Sequence, residues 1–96
     1  MNVKIKVRLN KEKNSNIEAY VGLTFDGCFA VNGVKIIDGK NGLFVAFPSY
    51  QTSDGAYKDI AYPLTKEYRK SLVNAIIEKY LNEKLQIQLL NGGVDK

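Results

Sequence analysis

Apolar and polar residues alternate along the start of the chain. Val3, Ile5, Val7 and Leu9 are apolar, and Lys4, Lys6, Arg8 and Asn10 stand between them. A period of two predicts a half-buried strand with one apolar and one basic face. Lys11 to Asn16 is polar and turn-prone and reads as a loop. A second strand follows, with Ile17, Ala19, Val21, Leu23 and Phe25 on one face. Asp26-Gly27 then offers a two-residue hairpin turn, because such turns need positive φ at both central positions. Cys28 to Ile37 is the returning strand, and Asn32-Gly33 within it predicts a bulge or bend rather than a reversal.

Asp38 to Gly42 reads as a compact turn, and Leu43 to Phe47 as a further apolar strand. Pairing should loosen at Pro48-Ser49, since proline cannot donate to a ladder. Tyr50 to Ala56 reads as a polar arm or long hairpin tip turning at Asp54-Gly55, and Tyr57 to Tyr62 as a short return strand. A helix then begins at Thr65, a suitable N-cap, with Glu67 in the first turn complementing the dipole. Leu72, Val73, Ile76, Ile77 and Tyr80 fall within one arc of about 140° at the helical period. A stripe that wide predicts either a deeply seated helix or one that meets both its own sheet and a second surface. Leu85 to Leu90 alternates and fits a short strand or a continuation of the helix. Residues 1–90 therefore read as one α+β domain, a small antiparallel sheet of hairpins with a C-terminal helix. Residues 91–96, opening with Asn91-Gly92-Gly93, read as a flexible tail.

Composition narrows the functional classes. Ninety-six residues with 45% hydrophobic and 25% charged content suit one modest globular core. No apolar run approaches the length of about 20 residues that a membrane span needs, and the N-terminus lacks a continuous apolar signal segment. The expected setting is cytoplasmic, with no membrane partner. There is one cysteine and no histidine, so no internal disulfide forms and a conventional zinc site is excluded. Cys28 is expected to be a small apolar filler in a strand.

The net charge of +4 is local. Residues 1–13 hold Lys4, Lys6, Arg8, Lys11 and Lys13 against Glu12, and the rest of the chain is balanced at nine basic and nine acidic residues. Such a patch attracts phosphate backbones, or serves as the solvated face of an edge strand where lysines discourage stray pairing.

Catalysis finds little footing. Without histidine, a base would have to be a carboxylate, lysine or tyrosine. Asp38 and Asp54 precede glycines in turns, where a carboxylate accepts backbone hydrogen bonds, and Asp59 sits beside Lys58 as a structural acid. A calcium loop starting at Asp38 fails, because its third and twelfth positions are Lys40 and Ser49. The glycine spacing does not fit a phosphate-binding loop either. No enzyme activity, cofactor, metal or small-molecule substrate is expected. Tyr50 and Tyr57 flank the arm, where tyrosines either stack on unpaired bases or pack in a strand.

The run Ile37-Asp38-Gly39, Asn41-Gly42-Leu43-Phe44-Val45-Ala46, Pro48-Ser49, then Asp54-Gly55, Asp59-Ile60-Ala61 and Pro63 resembles the bacterial SpoVG (stage V sporulation protein G) family. The similarity extends from about Val3 to Tyr80. It implies a homodimeric α+β domain that binds DNA or RNA and regulates gene expression and septation or sporulation-type processes. The family's arm carries a Lys-Arg pair ahead of threonine; here those positions are Tyr50, Gln51 and Thr52. Basic positions of the family persist as Lys35 and Lys58, and Tyr62 replaces a common histidine. The nucleic-acid-binding set expected from charge and resemblance together is Lys4, Lys6, Arg8, Lys35, Tyr50, Gln51, Thr52 and Lys58. The alternative is a dimeric protein–protein interaction module whose exposed arm contacts another protein, with no nucleic acid involved.

Overall fold

The computed structural model describes residues 1–12 and 14–90. Lys13, counted in the basic cluster, and the tail at 91–96 lie outside them. Four strands form an antiparallel meander in the order β1-β2-β3-β4: β1 (Val3–Leu9), β2 (Ile17–Phe25), β3 (Phe29–Gly39) and β4 (Gly42–Ala46). A separate two-stranded arm pairs β5 (Ser49–Gln51) with β6 (Tyr57–Asp59), and helix α1 (Lys66–Leu90) closes the described chain. This is the expected α+β arrangement.

The alternation of β1 fixes its register. Val3, Ile5, Val7 and Leu9 stand opposite Phe25, Leu23, Val21 and Ala19, so one face of the pair is apolar throughout. Across the next ladder Ala19 and Val21 face Ile36 and Val34, which extends that face to the middle of the sheet. The helix lies on it. Ala19, Val21, Leu23, Val34, Ile36, Phe47, Leu72, Ile76 and Tyr80 form the buried core. The wide helical stripe is unevenly used: Leu72, Ile76 and Tyr80 are buried, and Val73 and Ile77 only partly.

The turns follow their residues. Asp26 and Gly27 have φ of 51° and 69°, the paired left-handed geometry that joins β2 to β3 without splaying them. Gly33, at φ 88°, sits where the β2–β3 register slips between Val21 and Leu23. That slip is the bulge expected at Asn32-Gly33. Thr65 caps the helix as its residue type predicts: its Oγ1 accepts the Tyr68 N–H at 3.1 Å, and its carbonyl accepts the Arg69 N–H at 3.0 Å.

Four expectations need correction or completion. Cys28 is exposed at the end of the β2–β3 turn, not packed within a strand; its N–H closes that turn on the Phe25 carbonyl at 3.0 Å. Ile17 is not part of the core face, because a second register slip at Glu18 separates it from Ala19. The return strand stops at Asp59 rather than Tyr62: the Ile60 N–H still donates to the Pro48 carbonyl in register, but proline has no N–H to return the bond. Leu85 to Leu90 continues the helix, and leucine and glutamine are good helix formers. Beyond Tyr80 the helix outruns the sheet, leaving Leu85, Leu89 and Leu90 exposed. The described helix is not long and apolar enough to cross a membrane.

Candidate nucleic-acid interface

With α1 covering one face of the meander, the opposite face is open, and alternation decides what it carries. Lys4, Lys6 and Arg8 point away from the core, as do their cross-strand partners Thr24, Gly22 and Tyr20. Tyr20 stands opposite Lys35, and Lys35 opposite Ala46. One transverse row therefore reads Arg8, Tyr20, Lys35, Ala46 across all four strands. Lys4, Lys6 and Arg8 are spaced along β1 by about 6.8 Å, two residues of extended chain. Arg8 and Lys35 stand about 10 Å apart, two strand spacings across the sheet.

Among the described strand residues of the meander, no carboxylate shares this face. Glu18 would reach it by simple alternation, but the register slip turns it to the helix side. There its Oε1 accepts the Tyr80 hydroxyl at 3.0 Å. Asp38 alternates away from Lys35 and Ile37. The outer face is thus cationic without internal neutralisation, and phosphate is the ligand chemistry it complements.

Two aromatic side chains lie among these cations. The Arg8 guanidinium carbon is 5.1 Å from the centroid of the Tyr20 ring, a cation–π pair. Phe44, opposite Ile37 on β4, is about half exposed. Its ring lies against Gly39, where an added Cβ would approach to 2.9 Å; only glycine lets the ring rest there on bare backbone. Sequence reasoning overlooked both residues. The available signal was parity, because Tyr20 sits at an even position in β2 and so shares a face with the lysines.

The arm gathers the remaining expected residues on a different platform. Tyr50 stands directly opposite Lys58, and Gln51 opposite Tyr57. Successive strand residues face opposite ways, so Tyr50 and Lys58 share one face of the arm while Gln51 is on the other. Tyr57 is 70% exposed against 50% for Tyr50. Thr52 is engaged in the tip. Its hydroxyl lies within hydrogen-bonding reach of both the Asp54 carboxylate and the Ala56 carbonyl, and its N–H donates to the same carbonyl at 2.7 Å. The Thr52 hydroxyl, followed by the Ala56 N–H, holds the Asp54 carboxyl below its ordinary range. Gln51 Nε2 donates to the Gly55 carbonyl at 3.3 Å. The structure thus brings Lys4, Lys6, Arg8 and Lys35 together on the sheet, and Tyr50 and Lys58 together on the arm. Arg69 of the helix is spent on packing, stacked 5.2 Å from the centroid of the buried Phe47 ring.

At the far end of the sheet an open cleft of about 620 Å³ is lined by Phe25, Phe29, Ile60, Leu64, Tyr68 and neighbouring residues. It is chiefly apolar. Tyr68 also carries a buried hydroxyl that has no hydrogen-bond partner among the described residues. No cluster of three or more potential metal ligands occurs among the described residues.

The SpoVG family model matches residues 1–82. A protein of Caldicellulosiruptor saccharolyticus named "Putative septation protein SpoVG" is 49% identical over 75 residues, which cover 77% of this chain and 85% of that relative. A protein of the same name from Borrelia garinii subsp. bavariensis is 37% identical over 81 residues, 84% of each chain.

Proposed function

The chain belongs to the SpoVG family, and from that membership we propose that it is a homodimeric nucleic-acid-binding regulator. It acts in the cytoplasm on gene expression and septation-type processes and has no enzymatic activity. The observation that carries this reading is the cationic sheet face formed by Lys4, Lys6, Arg8 and Lys35. An uncompensated cluster of that kind supplies the sequence-independent attraction on which polynucleotide binding is built. The arm adds Tyr50 and Lys58 as a second contact. The pair of basic residues usual in the family is absent from it, so the sheet face carries more of the electrostatic attraction.

Binding to mixed DNA and RNA at low salt tests the reading, and no measurable affinity there overturns it. Lys58→Ala should weaken binding and lower the salt slope by about 0.7 to 0.9, the contribution of one phosphate contact.

The exposed Tyr50 and Tyr57 favour a second reading, a dimeric module whose arm contacts another protein. A protein partner lost on deleting residues 50–56 from a chain that still folds, with no nucleic-acid affinity in the intact chain, would support it.

A further inference from the structure

The outer sheet face differs from a plain basic patch in one respect: aromatic rings stand among its cations, on a surface that is continuous across four strands. Resting on the nucleic-acid-binding reading above, we infer that this face binds an unpaired polynucleotide strand. In this arrangement Tyr20 with its overlying Arg8 forms one base-stacking platform and Phe44 a second, while Lys4, Lys6 and Lys35 neutralise the phosphates.

Three observations carry the inference. Tyr20 occupies the transverse row between Arg8 and Lys35, so a base stacked there has a cation on either side. The Arg8 guanidinium already lies over the Tyr20 ring at 5.1 Å, and a guanidinium plane is itself a surface on which unpaired bases stack. Phe44 lies two strands over and one row along, a separation of about 12 Å from standard strand geometry. Consecutive bases within a duplex rise only about 3.4 Å per strand. Two platforms so far apart suit a splayed strand whose bases are turned toward the sheet.

Duplex recognition calls for a different shape. A four-stranded face, about 14 Å across its strands, is too wide to enter a groove, whereas an α-helix or a two-stranded ribbon fits the major groove. Among the described residues the ribbon is the β5–β6 arm. The sheet face and the arm thus divide by ligand form, and the unpaired strand falls to the face.

The test uses the full chain with fluorescently labelled oligonucleotides of mixed sequence, single-stranded and duplex, over a salt titration. Tyr20→Phe should bind single strands within about twofold of the unaltered chain, because the ring is kept. Tyr20→Val keeps a strand-compatible residue but loses the ring and should weaken single-strand binding about tenfold or more. Lys4→Gln combined with Lys6→Gln should lower the single-strand salt slope by about 1.4, at about 0.7 per phosphate contact. The chain contains no tryptophan, so Tyr20→Trp introduces a single indole on the face. Single strands should quench its fluorescence, and this readout stands even if Tyr20→Val fails to fold. Binding by the unaltered chain with no quenching of that indole overturns the inference alone. So does preference for duplex, with affinity lost on deleting residues 50–56 and unchanged in Tyr20→Val. Absence of all nucleic-acid binding by the unaltered chain overturns the parent reading as well.

Discussion

The hydroxyl of Tyr80 makes the stability of this protein depend on alkaline pH in a way that can be worked out in advance. The side chain is 2% exposed, and its hydroxyl donates to Glu18 Oε1 at 3.0 Å, joining the helix to β2. Burial pushes the phenol up from 10.0 to about 12, reinforced by the Glu18 hydrogen bond and by the negative charges of Glu18 and Asp38. The folded state therefore holds this proton more tightly than the unfolded chain. Between about pH 10 and pH 12 the folded protein binds more protons than the unfolded one, so stability falls as pH rises. The contribution is fully present below pH 10. Two pH units at 1.36 kcal/mol each set a ceiling of about 2.7 kcal/mol, reduced by solvent screening, most of it lost by pH 12.

Urea unfolding followed by circular dichroism from pH 9 to pH 12, on the unaltered chain and on Tyr80→Phe, isolates this contribution. At pH 9 the phenylalanine variant should be less stable by about 1.5 to 3 kcal/mol, the range for a hydrogen bond to a charged group. The gap should close as pH approaches 12, because the variant has no phenol to ionise. Parallel stability curves for the two proteins across that range would refute the reasoning.

Two further substitutions test local features of the fold. Thr65→Ala removes the oxygen that accepts the Tyr68 N–H and should cost about 1 kcal/mol in thermal or urea unfolding, with Thr65→Ser recovering most of it. Gly33→Ala places a Cβ at φ 88° and should cost about 1 to 2 kcal/mol, although the nearest atoms, on Pro48, lie 3.8 Å away and leave room for it; stability equal to the unaltered chain would show that the bulge relaxes freely.

Most of the meander was legible because its signals are local. Alternation in Val3 to Leu9, the Asp26-Gly27 turn, the bulge at Asn32-Gly33 and the cap at Thr65 each depend on residues close in sequence. The places where reading failed depend on partners. Cys28 looked like strand filler, but the ladder resumes only with Phe29 opposite Phe25, which leaves Cys28 unpaired in the connection. Tyr57 to Tyr62 looked uniformly extended, yet pairing ends where the Ile60 N–H meets Pro48, a contact made across the arm. Leu85 to Leu90 fits both periods, and the helix runs on through it.

The candidate site divides along the same line. Sequence alone determined that Lys4, Lys6 and Arg8 share one face of a strand, because a period of two requires it. It also determined the family, through the Asp38 to Ser49 run. Only the tertiary structure decided that Lys35 joins them and that Phe44 lies among them. Only there, too, is Glu18 drawn off to Tyr80, 62 positions away along the chain. A cross-strand neighbour is set by register, and register here is shifted by two slips in the β2–β3 ladder. The outer face owes its freedom from carboxylates to one of those slips, at Glu18, a displacement that alternation read along a single strand cannot reveal.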